Sequence, residues 1–459
     1  MSGATNRHSA PNSGLARFLQ LFGPGVALID PGTRNPDRSG VYPIGCGGVG
    51  LARRLGLADA VMLGLGSMLG AGVFAAFAPA AAAAGAGLLI ALAIAAIVAY
   101  CNAIASAQLA ARYPESGGTY RYGRHRLGPV WGFLAGWGFV IGKTASCAAM
   151  AMTFGAYTWP AHSTPPAVAV VVVLTAVNYL GVAKTARLTR VLVGLTVAAL
   201  TAVVVAALGG GQADPVNLSG WTSGGLTGIT QAAALLFFAF AGYARIATLG
   251  EEVREPARII PLAIPLALSL VVAIYAVTGA AALAAVGPTV LATSTAPLAA
   301  ATQSGSLSWL TPVVRAGGAI ASAGALLSLM AGIGRTTLAM ARDHELPYVL
   351  AAVHPRYQVP HRAEILLGLI VAAIVATADL RDAIGLSNFA ILTYYALANA
   401  AAFTLPGRQR RWLRPLAVLG ATGCALLALT LPGDTVLISA AVLALGLAGR
   451  ALRTAKGRA

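Results

Sequence analysis

The sequence predicts an all-α membrane protein of about twelve transmembrane helices. Three observations carry that expectation: an apolar composition with few charges, apolar runs of spanning length along most of the chain, and basic residues gathered on one side. Of 459 residues, 58% are hydrophobic and 10% are charged, whereas soluble domains carry roughly a quarter charged residues. The formal net charge is +17. In a soluble chain that would point to nucleic acid, so the positions of the cations matter more than their sum.

A spanning helix needs about 20 mostly apolar residues. Such runs are expected at 58–84, 88–110, 129–157, 166–182 and 188–208, then at 227–249, 260–286, 310–338, 363–378 and 383–405, and finally at 415–431 and 435–449. We call them helices 1 to 12. Short cytoplasmic loops collect Lys and Arg, and 27 of the 31 such residues fall on the side of the N-terminus. Arg381 lies on the opposite side, and Lys143, Arg245 and Arg315 lie within helices. The expected topology is therefore multi-pass in the cytoplasmic (inner) membrane with both termini cytoplasmic. The basic charge is explained by topology, and nucleic acid is excluded as a partner.

Residues 1–56, rich in Gly, Pro, Ser and Asn, read as a cytosolic tail. Their apolar stretch is interrupted by Gly23, Pro24 and Gly25, which argues against a cleaved signal peptide. The remaining organisation is expected to be a five-helix unit at 57–208, a second at 209–405, two accessory helices at 406–449 and a tail at 450–459. Cys46, Cys101, Cys147 and Cys424 show no metal or redox spacing, and the last three read as small core residues.

Backbone polar groups in lipid must be satisfied within their own helix, so unwound backbone at mid-membrane marks a cavity or a binding site. Helix 1 carries Gly64, Gly66, Gly70 and Gly72 at its centre, and helix 6 carries Gly242 after Phe237, Phe238 and Phe240. Glycine-interrupted segments at matching places in two halves point to a transporter site on an inverted repeat. Close helix packing through small residues is the competing account of both clusters.

Four stretches resemble the amino acid/polyamine/organocation permeases, over about residues 56–405. They are Gly70-Ala71-Gly72-Val73-Phe74 in helix 1 and Tyr113-Pro114-Glu115-Ser116-Gly117-Gly118-Thr119-Tyr120 after helix 2. The third is Glu251-Glu252-Val253-Arg254-Glu255-Pro256-Ala257-Arg258-Ile259-Ile260-Pro261 after helix 6, with Glu255 where Asn is usual. The fourth is Met340-Ala341-Arg342-Asp343-His344-Glu345-Leu346-Pro347 after helix 8, with His344 in place of the usual Gly. The resemblance implies the LeuT-type fold, a 5+5 inverted repeat with two further C-terminal helices. It also implies secondary active transport of amino acids by alternating access.

An amino acid is a zwitterion, and a broken helix offers amides to one end and carbonyls to the other. By resemblance, the carboxylate would lie on the amides of Ala71 and Gly72, next to Gly70. The ammonium would lie on carbonyls near Ser67 and Met68 and on those of Phe238 and Ala241, beside Gly242. Phe238 stands where relatives carry an aromatic gate, although an ordinary core aromatic is the alternative. Tyr243 and Ala244 follow Gly242, where cationic and polyamine carriers often place an acid, so a dication would lack a counter-charge.

Lys143 falls near the middle of helix 3, and an intramembrane ionisable residue is a functional candidate. By resemblance its position lines the substrate cavity, while Thr196 occupies the helix 5 place where some relatives carry a coupling lysine. An amine that gives up and regains a proton as substrate comes and goes would suit proton coupling. A lysine simply bonded to carbonyls is the alternative. Arg245 is expected to pair with Glu251 or Glu252 as an inner gate, or to snorkel. Arg315 is expected to snorkel, and Ser328 on helix 8 is a candidate for a sodium site with helix 1.

The sequence has no clustered His, Asp or Glu for a membrane enzyme, so no catalytic residue, metal or cofactor is expected. No obligatory protein partner is evident. A channel or a non-transporting sensor is a remote reading. The expected function is uptake of a neutral amino acid with H+ coupling as a symport. Amino-acid exchange, Na+ coupling or an acidic substrate drawn by Lys143 are the alternatives.

Overall fold

Ala, Leu and Val runs of this length have one backbone solution in lipid, because only a helix satisfies its own N–H and C=O groups there. The computed structural model describes residues 55–113, 117–181, 186–247, 253–406 and 410–456. Helix 1 comprises Leu57–Met68, Ala71–Ala75 and Phe77–Ala84, and helix 2 is Leu88–Arg112. A surface helix, Thr119–Leu127, precedes helix 3 at Pro129–Thr158. Helix 4 is Thr164–Tyr179 and helix 5 is Ala186–Gly209. Helix 6 is Gly225–Phe240, continued by the tight turn Ala241–Tyr243 and by Ala244–Ala247. Then follow helix 7 at Pro256–Thr293, helix 8 at Thr311–Arg342, helix 9 at His361–Thr377 and helix 10 at Leu380–Phe403. Helices 11 and 12 are Arg410–Leu429 and Gly433–Lys456.

A helix thus stands at the place of each expected segment. Eight helical stretches among the described residues are long and apolar enough to cross a membrane. The chain is an all-α, multi-pass membrane protein. Helix 12 runs past residue 449 into the expected tail, because Arg450 is held by Glu345. Helix 7 also outruns its expected end, with a kink at Gly287, whose φ of 73° suits glycine. There the Asn217 amide donates to the Ala284 carbonyl at 2.8 Å.

Packing in the interior runs on small residues. A Cβ on Gly317 would lie 2.1 Å from Ala199 Cβ, and one on Gly142 would meet helix 10 at Ala390, Ile391 and Ser387. Close approach of this kind is how helices associate in lipid, where burial of apolar surface supplies no drive. Hydroxyls inside the spans mostly return to their own backbone, as Thr144 does to Val140 and Thr153 to Ala149. Arg190 pairs with Asp59 and so ties the starts of helices 5 and 1 together.

On the side of the expected cytoplasm, the segment after helix 8 is a polar hub. The Tyr120 hydroxyl donates to Asp343 at 2.6 Å, and Arg121 pairs with the same carboxylate at 3.2 Å. Arg124 and Arg450 grip Glu345 at 2.9 and 2.7 Å. Burial, with the Asp343 carboxylate second, pushes the Tyr120 phenol well above its ordinary range, so it remains a donor. His344, between the two acids, has a φ of 58° in the left-handed region. That conformation accounts for the glycine usual at this place. His344→Gly should therefore raise stability by about 0.5–1 kcal/mol, read as a higher melting temperature in detergent. A fall in melting temperature would show that the His344–Tyr348 ring stack at 5.5 Å outweighs the relieved backbone.

Candidate functional site

Helix 1 stops at Met68 and restarts at Ala71. Leu69 still donates to Leu65 at 2.7 Å, but Gly70 turns away at φ −84°, ψ −142°. Four glycines in nine residues weaken the helix here, each by about 1 kcal/mol relative to alanine. The restart leaves the first amides of the second half, those of Ala71, Gly72 and Val73, without helical acceptors. That half continues through Ala76, itself right-handed helical, into Phe77–Ala84.

Helix 6 behaves differently from the expected opening. It tightens into a 3₁₀ turn at Ala241–Tyr243 and resumes at Ala244. The turn is pressed against the helix 1 break: a Cβ on Gly242 would lie 2.3 Å from the Ser67 carbonyl oxygen and 2.8 Å from Met68 N. Likewise a Cβ on Gly72 would lie 2.5 Å from Ala239 Cα, and one on Gly70 would lie 2.5 Å from Ala325 Cβ of helix 8. These glycines bring helices 1, 6 and 8 into contact. A side chain at 72 would clash with the backbone of helix 6.

The carbonyls released at the two discontinuities have donors from neighbouring helices. The Tyr275 hydroxyl of helix 7 lies 2.5 Å from the Met68 oxygen and 3.0 Å from the Ala239 oxygen, and shares one proton between them. The Ala241 carbonyl accepts from Lys143 Nζ at 3.1 Å and from the Tyr395 hydroxyl of helix 10 at 3.2 Å. Within the intact helix before the turn, Asn388 Nδ2 of helix 10 also donates to the carbonyls of Ala234 and Leu235 at 2.7 and 3.1 Å. Tyr243 stacks on Tyr395 with centroids 5.1 Å apart. Lys143 is 6% exposed, and among the described residues no carboxylate pairs with it.

The structure therefore brings Ser67, Met68, Gly70, Ala71, Gly72, Ala241, Gly242 and Lys143 into one constellation. Phe238 is buried on the same helix 6 surface region, one turn before the tight turn. Ser328 is half-buried, one turn beyond the Ala325 that touches Gly70. The residues of helix 8 that face helices 1 and 5 are Ala321, Gly324 and Ala325. With Gly66, Leu69, Leu192, Val193 and Thr196 they line a cavity of about 10 Å³, close to the least that holds one water. Thr196 bonds its own backbone at Leu192. Arg245 is half-buried in Ala244–Ala247, while Glu251 and Glu252, its expected gate partners, lie outside the described residues. Pro114, Glu115 and Ser116, Cys46 and nearly all of the 1–56 tail lie outside them too.

Sequence reasoning missed Tyr275, Asn388 and Tyr395. Their signal was present as polar side chains inside apolar spans, which need a partner when buried. It was passed over because they carry no charge.

Polar side chains of helices 3, 7 and 10 thus converge on the backbone at the helix 1 break and the helix 6 turn, inside a multi-pass membrane protein. The amino acid permease family profile matches residues 55–446, and this chain belongs to that family. It is a family of secondary transporters. A protein described as an uncharacterized transporter of Mycobacterium tuberculosis is 60% identical over 403 residues, covering 88% of this chain and 92% of its own length. A branched-chain amino acid permease of Bacillus subtilis is 26% identical over 383 residues, covering 78% and 82%. A methylthioribose transporter of the same organism is 26% identical over 378 residues, covering 77% and 81%. Among the described residues no group of three or more His, Cys, Asp or Glu is placed to hold a metal.

The contact of Gly242 with Ser67 gives a direct test of this packing. Gly242→Ala drives a methyl into backbone atoms that have no rotamer to escape by, and should cost about 2–3 kcal/mol. The measurement is a melting curve in detergent; an unchanged midpoint would mean that the two discontinuities do not touch.

Proposed function

We propose that the chain carries neutral amino acids across the cytoplasmic membrane by alternating access, with a proton as the coupling ion and both termini in the cytoplasm. The single observation that carries this reading is the bond from Lys143 to the Ala241 carbonyl. It sets one ionisable group on the backbone where a substrate ammonium would be received.

A LeuT-type arrangement of twelve spans is part of the proposal, and the helix neighbours support it. Exchanging helices 1 to 5 with helices 6 to 10 maps neighbours onto neighbours. Helix 3 packs on 10 as 8 packs on 5, helix 2 on 6 as 7 on 1, and helix 2 on 10 as 7 on 5. Helices 3 and 8, 2 and 7, and 4 and 9 pack on their own counterparts. Helices 11 and 12 stand outside that relation, against helices 2, 3 and 10. Under the proposal the amides of Ala71 and Gly72 receive the substrate carboxylate as the helix 1 and helix 6 discontinuities part. The carbonyls of Phe238 and Ala241 receive the ammonium, and Phe238 closes over it.

Neutral substrates fit a site in which, among the described residues, no carboxylate is ion-paired with Lys143, since a cationic side chain would be repelled by that lysine. The name of the branched-chain amino acid permease agrees with that class, although it describes the relative alone. An acidic side chain is the second reading, because Lys143 would attract it.

Protein reconstituted in vesicles should take up radiolabelled neutral amino acids with saturation and counter-flow. Uptake of polyamines with no amino acid transported would sink the substrate class, and non-saturating flux would sink the carrier mechanism. Lys143→Ala should fold and retain exchange of the same amino acid while losing the dependence of uptake on an imposed pH gradient. An intact dependence would remove Lys143 from coupling.

A further inference from the structure

We propose that the Lys143 ammonium is a built-in surrogate for the substrate's own ammonium, so that the protonated lysine and the bound amino acid exclude each other. The inference rests on the function proposed above and concerns the sense of its coupling.

The argument starts from the number of donors at one oxygen. A carbonyl has two lone pairs, and the Ala241 oxygen already meets two donors, Lys143 Nζ and the Tyr395 hydroxyl. A third donor, the incoming ammonium, can bond there only if one of these leaves. Tyr395 is fixed by ring contacts with Phe237, Tyr243 and Tyr394 at 5.7, 5.1 and 5.1 Å. Lys143 reaches the Ala241 oxygen on a flexible four-carbon stem, so it is the group that yields.

Displacing Lys143 as a cation would leave two ammonium groups a few ångströms apart in a buried site, with the substrate carboxylate held on the Ala71 and Gly72 amides and, among the described residues, no protein carboxylate paired with Lys143. Like charges in low dielectric disfavour that state strongly. Loss of the lysine proton to water removes the repulsion and leaves a neutral amine that a nearby carbonyl does not need. In the balanced step, Lys143–NH₃⁺ becomes Lys143–NH₂, one proton passes to the aqueous side facing the site, and one zwitterion enters. No bond to carbon changes and no co-reactant is required.

The groups that face this lysine do not compete for the same role. Cys147 lies one turn along helix 3, Tyr395 and Tyr394 are on helix 10, and Tyr243 is at the helix 6 turn. Thiols and phenols ordinarily titrate above roughly pH 8. Arg245, one turn beyond Ala241, stays charged throughout. Glu364 of helix 9 is buried against Gly334 of helix 8, where an added Cβ would meet its Oε1.

Mutual exclusion fixes the coupling by linkage: whatever proton the amino acid expels, added protons must expel the amino acid. A site that holds either a proton or a substrate moves them in opposite directions. That is the reverse of the symport expected from the sequence. In the empty carrier, Lys143 would cap the helix 6 carbonyl and let the protein reorient without substrate.

The test measures binding of L-alanine, L-leucine and L-phenylalanine to the purified full-length protein from pH 6 to pH 8. Calorimetry in two buffers of different ionisation enthalpy counts the protons exchanged. The expected result is affinity that tightens by up to tenfold per pH unit, with up to one proton released per amino acid bound. Lys143→Met should bind at pH 6 as tightly as the natural protein does at pH 8, with no pH dependence between. Affinity that is flat with pH, or tightens on acidification, or proton uptake on binding, overturns the inference and leaves the transporter reading standing. A folded Lys143→Met that no longer binds overturns it as well. If that variant does not fold, the proton count on the natural protein decides alone. If none of the three amino acids binds at any pH, the neutral-substrate reading falls and this inference falls with it.

Discussion

Everything at the centre of this protein follows from the cost of an unpaired backbone group in lipid. A free carbonyl or amide in hydrocarbon costs several kcal/mol, so a helix interrupted at mid-span must borrow donors from elsewhere. Helix 1 is interrupted at Leu69 and Gly70, and Tyr275 answers from helix 7. Helix 6 tightens at Ala241, and Lys143 and Tyr395 answer from helices 3 and 10. The interruption is therefore a property of five helices at once. No single segment could carry it alone.

The glycines serve that same constraint from the other side. Without a Cβ at 72 and 242, helices 1 and 6 approach to backbone contact, and without one at 70 the Ala325 methyl of helix 8 packs against helix 1. Chain flexibility and close packing were competing accounts of these glycines at the level of sequence. In the structure they are one account, since the weakened helix and the close approach occur at the same residues. Under the proposed function, movement of helix 1 relative to helix 6 would exchange one set of backbone contacts for another. Bistable interfaces of this kind, rather than continuous deformation, are how packed proteins change state.

Far from the centre, a second polar cluster organises the side read as cytoplasmic. Glu345 is buried between Arg124 and Arg450, and Asp343 is bonded by Tyr120 and Arg121. These contacts join the loop after helix 2, the end of helix 8 and the far end of helix 12. Buried charges persist only when paired, so the motif after helix 8 is a structural clasp whatever else it does. Its departure from the family pattern at His344 has a conformational meaning, a positive φ borne by a residue other than glycine.

The sequence alone determined that the chain is helical and multi-pass, because apolar run length and the position of basic residues report the solvent directly. It also located the interruption of helix 1, since glycine density is a local property. Most of the polar hub was present in the motif after helix 8, but its partners on helix 12 were not legible: Arg450 read as tail. Only the tertiary structure decided what meets the freed carbonyls. Tyr275, Tyr395 and Lys143 come from segments 36 to 207 residues away from the atoms they bond, and no local pattern encodes that convergence. For the same reason the sequence could mark Lys143 as unusual without showing that it rests on Ala241. Hydrophobic pattern fixes which solvent each segment faces; which side chain reaches which oxygen is settled only when helices pack.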